Sequence, residues 1–337
     1  MSTVEKTNNW VGLDLGGTKM LATVYDAEFK PLGKKRRRTK GTEGADSVTT
    51  RMIRTIREAL VEAKLEPAQI SGIGVGIPGP VDQAKGIVLE AVNLNWANVP
   101  LAKLLDKELG RPVVVLNDVD AGVYGEYRFG AAKSARTALG IFPGTGIGGG
   151  CVYDGQILRG SRNSCMEIGH VSVTPDGHLC GCGLRGCLET EASRLAISAE
   201  VAKAAFRGEA PTILKLAGTT LTDIRSSTLA EAIAAGDKVV EQIVRRAARI
   251  LGTTVGSCVH LLCPDIIVLG GGLVEAMPEL YVEAVAAAAR KAVMPSFVDT
   301  FKVVAAKLGD DAGVLGCAAW AEKTFAASTS TPLPLTS

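Results

Sequence analysis

Apolar positions along the chain recur in two rhythms. Short continuous or alternating runs bounded by glycine predict strands, and runs with apolar residues three and four apart predict helices. Residues 10–25, "WVGLDLGGTKMLATVY", read as strand, glycine turn at Gly16 and Gly17, and strand; "KPLGKKRRRTKG" reads as a third strand. The spacing predicts a helix over 47–65, with Ser47 as its N-cap, and a short amphipathic helix over 99–109. "ISGIGVGIPGPVD" (70–82) reads as a buried strand entering a Gly-Pro loop. "PVVVLND" (112–118) is a strand too apolar to be half exposed, as expected inside a mixed or parallel sheet.

From residue 137 to 155, "TALGIFPGTGIGGGCVYDG" repeats the strand, glycine turn and strand pattern of the start, which suggests two related domains. Helical spacing follows in "EASRLAISAEVAKAAF", in "DKVVEQIVRRAARILGTTVGSCVHLL" and over 280–292. "DIIVLGGG" (265–272) is a strand meeting a third glycine turn, with a helix from Leu273. Residues 303–323 read as a short strand, a turn at "LGDDAG" and a closing helix, and the tail 327–337 is expected to be disordered.

Composition narrows this to an α/β protein. At 337 residues, two domains of ordinary size are expected, and aromatics make up only 4% against 47% hydrophobic residues. Lys plus Arg (37) nearly cancels Asp plus Glu (35), so no global field draws the chain to nucleic acid or to an anionic membrane. "KKRRRTK" is a local basic run; without interleaved aromatics it reads as a solvated hairpin. No stretch approaches the roughly 18 uninterrupted apolar residues of a membrane span, and the polar start "MSTVEKTNNW" lacks an apolar signal region, so a cytoplasmic protein is expected.

Two kinds of motif carry chemistry. Glycine turns at strand ends let backbone N–H groups approach phosphate oxygens that a Cβ would obstruct. "DLGGTK", "PGTGIGGG" and "VLGGG" all have this form. No Walker-type P-loop is present, and the G-x-G-x-x-G at Gly144, Gly146 and Gly149 lacks the crossover helix of a dinucleotide site. The second motif is the cysteine cluster: His170, Cys180, Cys182 and Cys187 offer one imidazole and three thiolates, a complete tetrahedral set for structural zinc. His178 is a rival ligand by spacing, and inert thiols or disulfides are the alternative to metal. Asp118, where the strand 112–118 stops, could be no more than a helix N-cap.

In these motifs the chain resembles the ROK family (repressors, open reading frames and sugar kinases) of the actin/hexokinase/Hsp70 ATPase superfamily. "DLGGTK", "LND", "GTGIGGG", "EIGHVSV" with "CGCGLRGCLE", and "IIVLGGG" carry the resemblance, which runs from Val11 to about Ala326. It implies a two-lobed actin-like ATPase (ribonuclease H-like) fold with a central mixed sheet in each lobe and a zinc-binding loop. The expected first lobe is 1–128 with 310–326, and the second is 129–309.

The implied activity is an ATP-dependent hexose kinase acting on the 6-hydroxyl, with glucose the expected sugar. N-acetylglucosamine or N-acetylmannosamine, then fructose or allose, are the alternatives. Asp118 would be the general base. Asn117, Glu167, His170 and Glu189 would bind sugar hydroxyls with it, and His170 would also ligate zinc with the three cysteines. Asp14, Gly16, Gly17, Thr18, Lys19, Gly144, Thr145, Gly146, Gly148, Gly270, Gly271 and Gly272 would meet ATP and Mg2+; for Lys19 a purely structural surface role is the alternative.

Cys165 and Met166 stand where the family usually has Ala-Gly, and Pro143 where Gly is frequent, which opens the sugar choice. The resemblance also implies a dimer or tetramer. Sugar-responsive repressors of the family carry a helix-turn-helix domain ahead of the first phosphate motif; only ten residues precede Val11 here, so that reading is disfavoured.

Overall fold

The computed structural model describes residues 8–161 and 165–326, and the tail expectation for 327–337 lies outside them. The chain divides into two units: Met1–Gly130, Ile157–Cys165 and Asp310–Ser337 form the first, Ala131–Gln156 and Met166–Gly309 the second.

The first unit is built on strands β1 (Asn9–Leu15), β2 (Lys19–Tyr25), β3 (Pro31–Arg38) and β4 (Ile70–Ile77). A small antiparallel sheet follows, of β5 (Val81–Asp82), β6 (Ile87–Ala91) and β7 (Trp96–Val99), and then β8 (Val113–Asn117). The main sheet runs β3-β2-β1-β4-β8, antiparallel through the first three strands and parallel from β1 to β8.

Side chains alternate across a strand, so Val11, Leu13 and Leu15 enter one core while Gly12 and Asp14 face the other way. On that other face Gly12 pairs with Gly74 and Asp14 with Gly76. The bare glycines let the C-terminal helix Ala312–Ala326 touch the sheet: a Cβ at Gly12 would strike Val314 O, and one at Gly74 would strike Cys317 O. The first face is covered by α1 (Ala45–Ala63) and α2 (Leu101–Leu109), whose Met52, Ile56, Leu101 and Leu105 are fully buried.

Helix α1 starts two residues before the expected Ser47. Its N-cap, Gly44, makes no side-chain cap, and the Ser47 hydroxyl instead donates to Glu43 at 3.0 Å. Helix α3 (Asp118–Phe129) leaves the end of β8 and meets the C-terminal helix through Gly125 and Gly316, each too close to the opposing backbone for any side chain. The charge of the basic strand β3 is partly offset by nearby acids. Lys34 pairs with Asp311, Arg36 with Asp310 at 2.9 Å, and Arg37 with Glu58 at 2.6 Å.

In the second unit β9 (Thr137–Pro143), β10 (Ile147–Tyr153), β11 (Gln156–Ile157), β12 (Ile266–Leu269) and β13 (Lys302–Ala305) form a sheet of order β11-β10-β9-β12-β13. β9 and β10 are an antiparallel hairpin, and β12 runs parallel to both β9 and β13. Around it lie α4 (Leu188–Ala192), α5 (Arg194–Phe206), α6 (Pro211–Ala217), α7 (Ser226–Ala234), α8 (Lys238–Leu262), α9 (Gly272–Ala276) and α10 (Pro278–Lys291). The spacing of apolar residues had not marked α6 and α7, which are only seven and nine residues long. Among the described residues no helix is long and apolar enough to cross a membrane.

Candidate active site

In the first unit the chemistry gathers where β1, β4 and β8 end. Asn117 caps α3: its Oδ1 accepts from the backbone N–H of Val119 (2.8 Å) and Asp120 (3.1 Å), while its Nδ2 donates to Gly79 O at 3.1 Å. Capping therefore falls to Asn117, and Asp118, the first helical residue, is released from it. One Asp118 oxygen accepts from Val119 N at 2.9 Å, and no other residue among those described hydrogen-bonds its carboxylate. Burial pushes its pKa up to about 6, against the pull of backbone N–H groups at the helix start.

Asp14 lies in the same setting. Burial first, then the charges of Asp118 and Asp310, raise its pKa to about 7, with Lys19 opposing. Two glycines make the room: Gly313 abuts the Asp14 carboxylate, and a Cβ at Gly76 would come within 3.5 Å of Asp118 Cα. The third acid, Asp310, is held by Lys19 and by Arg36, both at 2.9 Å, and the hydrogen bond from Lys19 keeps its pKa below the usual range.

Lys19 thus engages a carboxylate. The sequence pattern does not single out Asp310, although it stands in "LGDDAG" just before a helix. The first glycine turn closes through Gly16 N to Lys19 O (2.9 Å), braced by the Thr39 hydroxyl on Gly16 O (2.6 Å) and Thr39 N on Thr18 O (2.9 Å). Gly17 at its tip faces open space.

In the second unit the β9–β10 turn is tied by Gly144 N to Gly146 O at 2.8 Å. Glu189 accepts from Ile147 N at 2.9 Å, and its carboxylate lies so close over Gly146 that no side chain fits there. Gly148 lies within β10, opposite Phe142. The third glycine turn comes beside the second: Gly270 packs on the Phe142 ring, and Gly271, at φ 79°, approaches Pro143 O. Gly272 opens α9 near the Ser226 hydroxyl. Arg194 also reaches this turn, with its N–H on Gly144 O and its guanidinium on Thr145 Oγ1, both at 2.8 Å. Nothing in the sequence pattern had marked it.

His170, Cys180, Cys182 and Cys187 bring their ligand atoms within 4.8 Å of one another. His170 Nδ1 is 3.6 Å from Cys180 Sγ, and the sulfurs of Cys182 and Cys187 are 3.7 Å apart. Ligands at ordinary zinc bond lengths and tetrahedral angles would stand about 3.6 Å (N to S) and about 3.8 Å (S to S) apart, so the cluster has the dimensions of a zinc site. His178 is not part of it; its Nδ1 meets Glu191 at 3.2 Å. Gly183 (φ 88°) and Gly186 (φ 70°) make the reversals that bring the thiols together.

Upstream, Met166 adopts φ 61°, a left-handed conformation that costs an L-residue about 1–2 kcal/mol. Its carbonyl accepts from Ile168 N at 2.6 Å, which closes a three-residue turn around the exposed Glu167.

The sequence pattern of the ROK family matches residues 10–324. The chain belongs to the ROK family. A glucokinase of Thermotoga maritima is 36% identical over 309 residues, covering 91% of this chain and 95% of that protein. A Streptomyces griseus ROK glucokinase, solved in complex with glucose and AMPPNP, superposes with a TM-score of 0.81 at 31% identity, covering 94% of this chain and 100% of that one. A ROK family transcriptional regulator, a homologue of the E. coli MLC protein, gives a TM-score of 0.82 at 27% identity, covering 92% of this chain and 76% of that one. The mixed sheets with glycine turns found in both units are those of this two-lobed ROK sugar-kinase fold.

Proposed function

We propose that this ROK protein is an ATP-dependent glucokinase that transfers the γ-phosphate to the 6-hydroxyl of glucose, with Asp118 as general base. The observation that carries the reading is the Asp118 carboxylate. It is relieved of capping by Asn117, largely free of hydrogen bonds, and half-buried with a pKa of about 6. A carboxyl tuned there is ionised near neutral pH yet basic enough to take the hydroxyl proton as oxygen attacks phosphorus, a contribution of about 10² to 10⁴-fold.

Asn117, Glu167, His170 and Glu189 bind the remaining hydroxyls in this reading. The three glycine turns and Thr18, Lys19 and Thr145 receive the nucleotide. Asp14 fits a role beside Mg2+, because a carboxyl forced toward its neutral form by burial, and then by neighbouring acids, is stabilised in its charged form by a cation. Mg2+ would supply charge neutralisation at the phosphates. His170, Cys180, Cys182 and Cys187 would hold zinc, whose role is structural. With Nδ1 turned to the thiols, His170 keeps Nε2 for the sugar, and Glu189, fastened to Ile147 N, links the zinc loop to the β9–β10 turn. Association as a dimer or tetramer and a cytoplasmic location belong to the same reading.

The likeness to a transcriptional regulator supports a second reading, a sugar-responsive regulator. Turnover decides between them. ADP release is measured with glucose, mannose, fructose, N-acetylglucosamine and N-acetylmannosamine, with Asp118→Asn as control. Glucose should give the highest kcat/KM; no sugar above the control would end the kinase reading.

A further inference from the structure

Beside Thr145, the second unit holds a cavity of about 520 Å³ at the β9–β10 turn, lined also by Arg194, Leu221, Arg225, Ser226 and Ser227. Its chemistry is one-sided. It has two guanidiniums and several hydroxyls, and no carboxylate lines it.

Several cations elsewhere are held by acids. Lys19 and Arg36 share Asp310, Arg37 pairs with Glu58, Arg207 with Glu209, and Arg245 with Glu241. Arg194 and Arg225 have no acidic partner within ion-pair distance among the described residues. Arg194 donates to the Thr145 hydroxyl at 2.8 Å, and Arg225 Nε donates to Thr222 O at 3.2 Å. Each guanidinium carries five N–H donors in a planar fork, so most of them stay available to a ligand. Arg194 is also fastened by its own backbone N–H to Gly144 O, and a Cβ at Gly144 would meet only Gly146 O, at 4.0 Å. The turn is therefore open on the side that a Gly144 side chain would occupy.

We propose that Arg194, together with Arg225, binds the phosphate chain of the phosphoryl donor. The inference rests on the kinase reading above and adds to it two residues that grip the donor's anionic part. The Arg194 main chain is fixed to the turn and its guanidinium to the Thr145 hydroxyl, which holds the charge beside the turn. Leu195 and Leu221 on the same cavity wall leave an apolar surface for a nucleobase.

The test uses the full chain with Arg194→Met, Arg194→Lys and Arg225→Met, inorganic tripolyphosphate as the probe, and adenosine as the uncharged control. Calorimetry should show tripolyphosphate binding to the parent protein at least tenfold more tightly than to either Met variant, with Arg194→Lys between them and adenosine affinity unchanged. In turnover, KM for ATP should rise tenfold or more while KM for glucose stays within twofold.

Tripolyphosphate affinity within twofold of the parent in both Met variants overturns the proposal. So does an equal rise in both KM values with a lowered unfolding midpoint, which would make Arg194 a staple of the turn. If the parent shows no turnover with any sugar, the kinase reading fails, and tripolyphosphate binding still judges the arginines by itself.

Discussion

Asp118 owes its chemistry to the residue before it. Two adjacent side chains compete to cap α3: the Asn117 amide oxygen accepts from both N–H groups, Asp118 shares only that of Val119, and the second carboxylate oxygen is left for other work. Asp118→Asn should therefore lower kcat by about 10² to 10⁴-fold with little change in KM for ATP.

The same substitution has a sign on stability. The folded-state pKa is raised from 3.8 to about 6, so ionising this group opposes folding, and its contribution falls as pH rises between those values. Above pH 7, Asp118→Asn should be more stable than the parent by about 1–3 kcal/mol, measured by urea unfolding. Equal or lower stability would contradict the burial of this charge. For activity the direction reverses: kcat/KM should climb with pH along an acid limb centred near 6. The identity of the acid was legible in "LND"; which neighbour capped the helix was not, because both can accept the same bonds.

Glycine decides the packing of elements. β4 reads as an ordinary buried strand, yet Gly74 with Gly12 forms a bare strip on which the C-terminal helix rests at backbone contact. Gly74→Ala forces that helix outward and should cost about 1–3 kcal/mol, seen as a lower urea midpoint. It should also reduce activity, since the start of that helix carries Asp310 and Gly313 beside Asp14.

The cysteine loop is the matching element of the second unit. It has little apolar core of its own, with Leu179 and Leu184 exposed; two left-handed glycines shape it, and in the proposed reading zinc on its four ligands would fix it. About one zinc per chain is expected by metal analysis. Chelation or Cys182→Ser should release it, lower the thermal midpoint and raise KM for glucose more than KM for ATP. The residue types of the cluster were evident from spacing; that His170, and not His178, stands with the cysteines came only when the fold turned His178 to Glu191.

For the whole molecule, the basic run on β3 shows how charge is settled by tertiary contacts. Its cations pair with Glu58 from α1 and with Asp310 and Asp311 near the other end of the chain, and the net charge is +2. Such exposed pairs add about 0–1 kcal/mol each to stability, and with a net charge near zero they weaken the field that would draw a polyanion. The chain should therefore show no retention of duplex DNA in a mobility-shift assay at physiological salt. A shift that disappears in high salt would reverse this.

The sequence by itself determined the strands, the long helices, the glycine turns and the types of side chain available to phosphate, sugar and metal. These follow from periodicity and from what each residue can physically do, and both are local. Only the tertiary structure decided that Asp310 joins Asp14, that Arg194 lies on the β9–β10 turn, and that short segments such as α6, α7 and β5–β7 hold a shape at all. Those outcomes depend on contacts between residues far apart in the chain, whose energies exist only once the elements are packed.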